Sequence, residues 1–388
     1  MTPIYLHHAS AICALGADIH SINTRLFGNP PSPLVKTDAY SAGRPLPLGL
    51  VTDLPPAADT RNNALLHAAL APIRAEIEAL KQRFGAARIG VVLGSSTSGI
   101  AEGEAAVAHH LQQGEFPTAY HYSQQEIAAP STYVATELQL QGPAWTISTA
   151  CTSGAKAIAS GARLLQLGVC DAVIVGGADS LCKLTVEGFL SLAAVSDELC
   201  NPFSRNRKGI NIGEAAALMI LSREPGAVRV AGVGETSDAH HISAPEPEGR
   251  GAEAAMRAAL AQAGLAPTAI GYINLHGTAT EQNDRMESLA VARVFGEHPS
   301  VACSSTKSLT GHTLGAAGAL EAVFCYLALV RGDGKLPPQV GDGVTDPQLA
   351  ALSGLGTVQL DQPLNYAMSN SFAFGGNNIS LILERCRD

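Results

Sequence analysis

Charge and aromatic rings are both scarce in this chain of 388 residues: Asp, Glu, Lys and Arg make up 15%, and Phe, Trp and Tyr 5%. No run of Lys or Arg offsets the net charge of −9, which disfavours nucleic acid and anionic membranes as partners. None of the eight cysteines forms a C-x-x-C pair and no HExxH is present, which argues against a structural or catalytic metal and for a reduced, cytoplasmic compartment. The Gly-Gly pairs form neither GxGxxG nor a P-loop, which disfavours nucleotide binding. No apolar stretch reaches the roughly 18 residues of a membrane helix. Met1 to His8 lacks a basic region followed by an apolar one, so no signal peptide is expected.

What the chain has instead is small residues. With 39 glycines and 46% hydrophobic residues, it is suited to close packing of helices on sheets. Continuous apolar runs at 89–94, 145–147, 171–178, 215–222, 228–233, 271–275 and 377–384 read as strands, and the Pro- and Gly-rich residues 1–60 suggest loops after a first short strand. Helical patterns lie between them at 62–82, 99–112, 129–138, 156–167, 250–264 and 287–295, and 332–363 reads as a Pro- and Gly-rich surface excursion. Apolar strands alternating with helices indicate an α/β architecture with sheets covered on both faces. Ile147-Ser148-Thr149-Ala150-Cys151 and Cys303-Ser304-Ser305-Thr306-Lys307 each lead into a Gly/Ala-rich helix. This weak repeat suggests two similar halves, 1–235 and 236–388.

Four stretches carry chemistry. Cys151 sits where a short strand turns into a helix, a place where free backbone N–H groups and the helix dipole favour a thiolate. Taken alone, the stretch suits an inert core thiol equally well. His276 follows a strand and precedes Gly277, Thr278 and Thr280, with Asp284 and Glu287 beyond; a hydrogen-bonded loop histidine is the plainer reading of it. Lys307 and His312 precede an almost uncharged helix whose one carboxylate is Glu321, a partner able to keep the lysine charged in an apolar site. Asn370 to Asn378, with Gly375-Gly376, is a turn that either exposes backbone N–H groups as an anion site or is a plain hairpin. A cysteine, two histidines and a lysine together point to acyl-thioester chemistry.

Thr149-Ala150-Cys151-Thr152-Ser153-Gly154, His276-Gly277-Thr278-Ala279-Thr280, Thr306-Lys307-Ser308-Leu309-Thr310-Gly311-His312 and Asn370-Ser371-Phe372-Ala373-Phe374-Gly375-Gly376 resemble, in order and spacing, the β-ketoacyl-acyl carrier protein synthases of the elongating, Cys-His-His type. The resemblance runs from about Arg88 to the C-terminus. It implies the thiolase fold, a duplicated α/β unit in a five-layer α-β-α-β-α stack, usually dimeric. It also implies a decarboxylative Claisen condensation. Cys151 would hold the acyl chain, with N–H groups of Cys151 and Phe374 as oxyanion hole. His276 and His312 would bind the malonyl thioester carbonyl, and Lys307, held by Glu321, would organise His312. Thr278 and Thr280 would bind the phosphopantetheine arm, with Phe374 as a gate and Phe372 packed behind it. Phosphopantetheine would arrive on acyl- and malonyl-loaded carrier protein, so no resident cofactor is expected. The partner would be a second copy or a synthase-like subunit.

A thiolase would offer a second cysteine in the 372–376 turn, an initiating synthase an asparagine at 312, and a non-catalytic chain-length subunit no cysteine at 151. Departures from the family include Lys208 and Ile210 where acidic and aromatic residues are usual, Asn377 for threonine, and Ala193 for a basic residue. Arg205, Arg207 and Lys208 are the candidates for a compensating carrier-docking patch. These departures suggest a specialised pathway, such as a polyene or other secondary route, over housekeeping fatty-acid elongation.

Overall fold

A computed structural model describes residues 2–52, 54, 58–296, 298 and 300–386. Its strands are β1 (Tyr5–Cys13), β2 (Val35–Thr37), β3 (Leu46–Leu48), β4 (Ile89–Gly94), β5 (Ala144–Ile147), β6 (Ala172–Asp179), β7 (Ala215–Ser222), β8 (Val228–Ser237), β9 (Tyr272–Asn274), β10 (Ala302–Ser304), β11 (Tyr366–Phe372) and β12 (Asn377–Arg385). β2 and β3 pair with each other, and the other ten line up as β10-β9-β11-β12-β8-β1-β7-β6-β4-β5. At the middle, β1 and β8 share only the pairs Tyr5↔Arg229 and Leu6↔Val228. Two five-stranded sets therefore meet at one corner. Numbered along the chain within each set, both have the same spatial order, third-second-fourth-fifth-first. The senses agree too. In each set the third, second and fourth strands run parallel and the fifth is antiparallel to both its neighbours.

Strand alternation sends side chains to opposite sides of each sheet. Val173 and Val175 face the central helices Ser153–Gln166 and Ala317–Arg331, and Ile379 and Leu381 of the other set face the same layer. Ala172 and Ile174 face an outer layer that includes Leu65, Leu66 and Val134, whereas Ile273, Met368 and Ile382 face Met256, Met286 and Val291 on the opposite outside. The result is a five-layer α-β-α-β-α stack, as the family resemblance implies.

The central layer is thin because its helices cross at residues without bulk. A Cβ on Gly154 would lie 2.8 Å from the Ala319 Cβ, and one on Gly318 would lie 2.8 Å from the Ala155 Cβ. Each helix begins a few residues after a chemistry-bearing segment, so this contact sets how closely those segments approach. Leu314–Arg331 also corrects the sequence reading of apolar runs. These 18 residues have a mean hydropathy of 1.5, long and apolar enough by composition to cross a bilayer, yet 83% of the stretch is buried within the protein.

Other differences have local causes. The helix read over 62–82 is two, Arg61–Leu70 and Arg74–Phe84, because Pro72 supplies no N–H and the chain passes through a short 3-10 turn. β1, which the sequence suggests as a short first strand ahead of loops, is nine residues long and lies at the junction of the sets. The helix after Cys151 begins at Ser153, three residues earlier than its apolar pattern, and Lys183–Ser191 is a helix with no counterpart in the sequence reading. Residues 332–363 form no helix or strand.

Gly318→Val should lower stability by about 1–3 kcal/mol, because overpacking at a helix crossing forces the backbones apart. Gly188→Ala, in a helix with open space around it, should be neutral or stabilising by up to about 1 kcal/mol. Thermal unfolding of the two variants checks this; equal midpoints would contradict the crossing as the tight point.

Candidate active site

Parallel strands deliver the functional groups from their C-terminal ends. From the first set, β4 leads to Ser95–Thr97, β5 to Cys151 and β6 ends at Asp179. From the second, β9 leads to His276, β10 to Lys307 and β11 to Phe372 and Phe374. This is the usual place for a site in a parallel sheet, and here two sheets contribute to one site.

Cys151 sits on a locked turn. Ala150 before it has φ 53°, a left-handed conformation that costs a residue with a Cβ about 1 kcal/mol. Ser153 Oγ accepts the Thr149 N–H at 2.9 Å and donates to the Ala150 carbonyl at 2.5 Å, and Thr152 Oγ1 donates to the Thr149 carbonyl at 2.7 Å. Thr152 is the N-cap of the following helix, so the buried thiol lies just outside a helix N-terminus.

The histidines come from the other set. His312 Nε2 lies 2.9 Å from Cys151 Sγ, and the two imidazoles meet edge to face with centroids 5.3 Å apart. The Glu287 carboxylate accepts the N–H groups of His276 and Gly277, both at 2.7 Å. Asp284 accepts from Ala279 and from Phe203, and Thr278 Oγ1 lies 3.0 Å from Thr280 Oγ1. Ala279 and Leu314 also adopt positive φ, so backbone strain recurs beside both the Thr278–Thr280 loop and His312. Lys307 and Glu321 form a buried ion pair.

Burial dominates the electrostatics. It pushes the Cys151 thiol up to about 12, against a downward pull from Lys307. It holds His276 and His312 well below the usual imidazole range, with the Lys307 ammonium acting in the same direction. At neutral pH the centre is a thiol beside two neutral imidazoles. Burial also raises Glu287 to about 7 and Asp284 to about 6, against the backbone N–H groups they accept. The ligand atoms of Cys151, His276 and His312 lie within 4.8 Å of one another, a spacing a metal ion could use. Lys307 opposes a further cation at that point, and Cys151 Sγ is already engaged by His312.

A cleft of about 410 Å³ reaches the thiol, lined by Cys151, His276, His312, Thr278, Thr280 and Phe374 among others. Phe374 packs on Phe189, with centroids 5.6 Å apart, and Phe372 meets His276 edge-on at 6.3 Å. The Phe374 turn is held from outside: Gly375 donates to the Ile242 carbonyl and Asp238 to the Gly376 carbonyl, each at 2.8 Å. Neither Lys307 nor Glu321 lines the cleft.

Two residues escaped sequence reasoning. Phe189 lies on the unread helix. Asp179 is fully buried and accepts five hydrogen bonds, from Ser95 Oγ, the N–H groups of Ser96, Thr97 and Gly315, and Thr97 Oγ1. It ties the loop after β4 to the segment that carries His312. Its signal was an acid directly after the apolar run 172–178. Of the candidate docking residues, Arg207 is buried and paired with Asp346, so it offers no free charge to a carrier. Lys208 is exposed at the cleft rim and paired with Glu198, and Arg205 is exposed.

Residues 59–227 match the beta-ketoacyl synthase N-terminal domain and 227–341 its C-terminal domain. Nodulation protein E of Rhizobium meliloti is 38% identical over 268 residues, 66% of this chain and 66% of that protein, just under two thirds of its length. The 3-oxoacyl-[acyl-carrier-protein] synthase 2 of Staphylococcus aureus is 35% identical over 314 residues, 77% of this chain and 75% of that one. The ketosynthase ApeO of Xenorhabdus doucetiae, solved in complex with its chain length factor ApeC, matches with TM-score 0.93 and 46% identity over 99% of this chain and 98% of its own. Sequence and architecture agree from the cysteine turn to the Phe374 hairpin, and the chain belongs to the β-ketoacyl synthase family.

Proposed function

We propose that this protein is a 3-oxoacyl-acyl carrier protein synthase whose nucleophile is Cys151. The observation that carries the reading is the 2.9 Å contact between Cys151 Sγ and His312 Nε2, with His276 adjacent, inside a cleft lined by Thr278 and Thr280. A thiol that burial keeps protonated needs somewhere to send its proton. His312 takes it as sulfur attacks the acyl thioester, and the departing carrier thiolate recovers it. The helix N-terminus therefore shares the activation with His312. N–H groups of Cys151 and Phe374 receive the oxyanion, a term worth about 3–4 kcal/mol per donor in acyl transfer.

Malonyl carrier protein then replaces the first carrier. Its pantetheine amides meet Thr278 and Thr280, and its thioester carbonyl accepts hydrogen bonds from the neutral imidazoles of His276 and His312. Carbon dioxide leaves and the carbanion attacks the acyl-Cys151 carbonyl; the bond to sulfur breaks, the 3-oxoacyl chain, two carbons longer, stays on the carrier, and the Cys151 thiolate takes a proton from solvent to restore the thiol. Burial, with the Lys307 ammonium acting in the same direction, keeps both imidazoles neutral and hydrogen-bonding. Phosphopantetheine is supplied by the carrier, and the reaction requires no resident cofactor or metal.

The pathway is specialised and cytoplasmic in this reading. It is supported by the higher identity to a ketosynthase solved with a chain length factor than to the staphylococcal synthase, and by the departures at 193, 208, 210 and 377. A synthase-like subunit is the corresponding partner.

Cys151→Ala should abolish condensation while sparing malonyl decarboxylation, and His312→Ala should lower decarboxylation by about 100-fold or more. Product analysis with malonyl carrier protein checks both; condensation by Cys151→Ala near the wild-type rate would remove Cys151 from its role. Glu287 supplies a pH test. As pH falls through about 7 its carboxylate takes a proton and loses acceptor capacity for the N–H groups that hold His276. Decarboxylation should show an acid limb with a midpoint near pH 7, and Glu287→Gln should be slower but lack that limb. Persistence of the limb in the variant would assign it to another group.

A further inference from the structure

Outside the site, Lys156 and Asn377 make a contact that the reaction does not use. Lys156 lies on the first turns of the helix that starts at Ser153, and Asn377 follows the Phe374-Gly375-Gly376 turn as the first residue of β12. They come from different halves of the stack. The half-buried Lys156 Nζ donates to Asn377 Oδ1 at 2.8 Å. Glu235, the carboxylate whose charge acts on Lys156, is itself paired with Arg163, which leaves the lysine directed at the amide.

Asn377 is at the root of the turn. Its carbonyl accepts the Ala373 N–H at 2.7 Å, closing the hairpin, and its Nδ2 lies 3.7 Å from where a Cβ on Gly375 would be. Gly375 and Gly376 have φ +80° and +76°, conformations that cost glycine little, so the turn has little stiffness of its own. Its outer side is held by Asp238 and Ile242, whereas Lys156 holds it to the helix that follows Cys151. A hydrogen bond with a charged donor is about twice as strong as a neutral one, so it outweighs either of the backbone bonds to Asp238 and Ile242. A threonine at 377, the residue common in the family, has a side chain too short to keep the amide contact.

We propose that Lys156 and Asn377 are a positioning pair that registers the Phe374 turn over the Cys151 thiol across the seam between halves, so that the Phe374 N–H is in place when an acyl group is transferred. The proposal rests on the acyl-transfer reading above. The pair touches neither the histidines nor the malonyl group, so it acts on acylation of Cys151 and spares decarboxylation.

The test uses the full chain with its partner subunit where one is required, acyl carrier protein as acyl donor, and mass spectrometry of Cys151 acylation in a single turnover. Lys156→Met and Asn377→Thr should each slow acylation roughly five- to tenfold, and the double variant should be no slower than either single one. Lys156→Arg should return the rate to within about twofold of wild type. Malonyl decarboxylation and the unfolding midpoint should stay at wild-type values in all four. Unchanged acylation, additive losses, or a parallel loss of decarboxylation with a lowered midpoint would overturn the pairing. Failure of the wild-type chain to acylate Cys151 at all would instead overturn the function on which it rests.

Discussion

The site depends on how closely two helices cross. Ser153–Gln166 and Ala317–Arg331 meet through Gly154 and Ala155 on one side and Gly318 and Ala319 on the other, at distances that admit no further methyl group. Cys151 stands just before the first helix and His312 just before the second, so the 2.9 Å sulfur–imidazole contact is a consequence of that crossing. The scarcity of aromatic residues follows from the same geometry. A layer of two helices between two sheets can be this thin only if its contacts are made by hydrogen and methyl groups. The price is rigidity of sequence at four positions, and the benefit is that two halves of one chain present their strand ends to a single point.

Charge placement follows from burial. Burial at the base of the cleft shifts Cys151, His276 and His312 toward their neutral forms, and the Lys307–Glu321 ion pair remains beside them. Lys307 lowers the proton affinity of both imidazoles and of the thiol, but desolvation outweighs it at sulfur. A thiolate at rest is therefore not the ground state. In the proposed reaction the helix N-terminus and His312 stabilise charge as it forms, where it changes a rate, and not before. Two further buried carboxylates, Glu287 and Asp284, spend their acceptors on backbone N–H groups and so hold loops, not substrates.

Much of this was legible in the sequence because the chemistry lies in short contiguous motifs. Cys151, His276, Lys307, His312 and Glu321 could be named, and the pairing of Lys307 with Glu321 followed from a lone carboxylate on an apolar helix. The duplication was visible only as two Ser-Thr turns before small-residue helices, and it emerges in full as two strand sets of one order and one sense. What stayed hidden depends on contacts between distant segments. Asp179 looked like the end of a strand because its five donors come from two distant stretches, Ser95–Thr97 and Gly315. Arg207 looked like a surface charge because Asp346, its partner, lies in a region with no regular structure to read. The break at Pro72 was readable in principle, but the apolar pattern continues through it.

The two strand sets also explain which parts of the site carry which task. Equivalent positions on a duplicated unit begin with the same backbone geometry, and both third strands, β5 and β10, still end in a hydroxyl-rich turn that opens a small-residue helix. One such turn keeps a thiol at its tip. The other places Lys307 before its helix and adds a loop that returns His312 to the seam. The fourth strands diverge likewise: β6 ends in Asp179, which binds loops together, and β11 ends in the Phe374 turn, which stays glycine-rich. Each set thus provides one element fixed by many hydrogen bonds and one facing the cleft. A thiol held by its own half and two imidazoles held by the other can be brought into register only at the seam. That is why Asp179, which bonds to Ser96 on one side and Gly315 on the other, and the crossing glycines are found there.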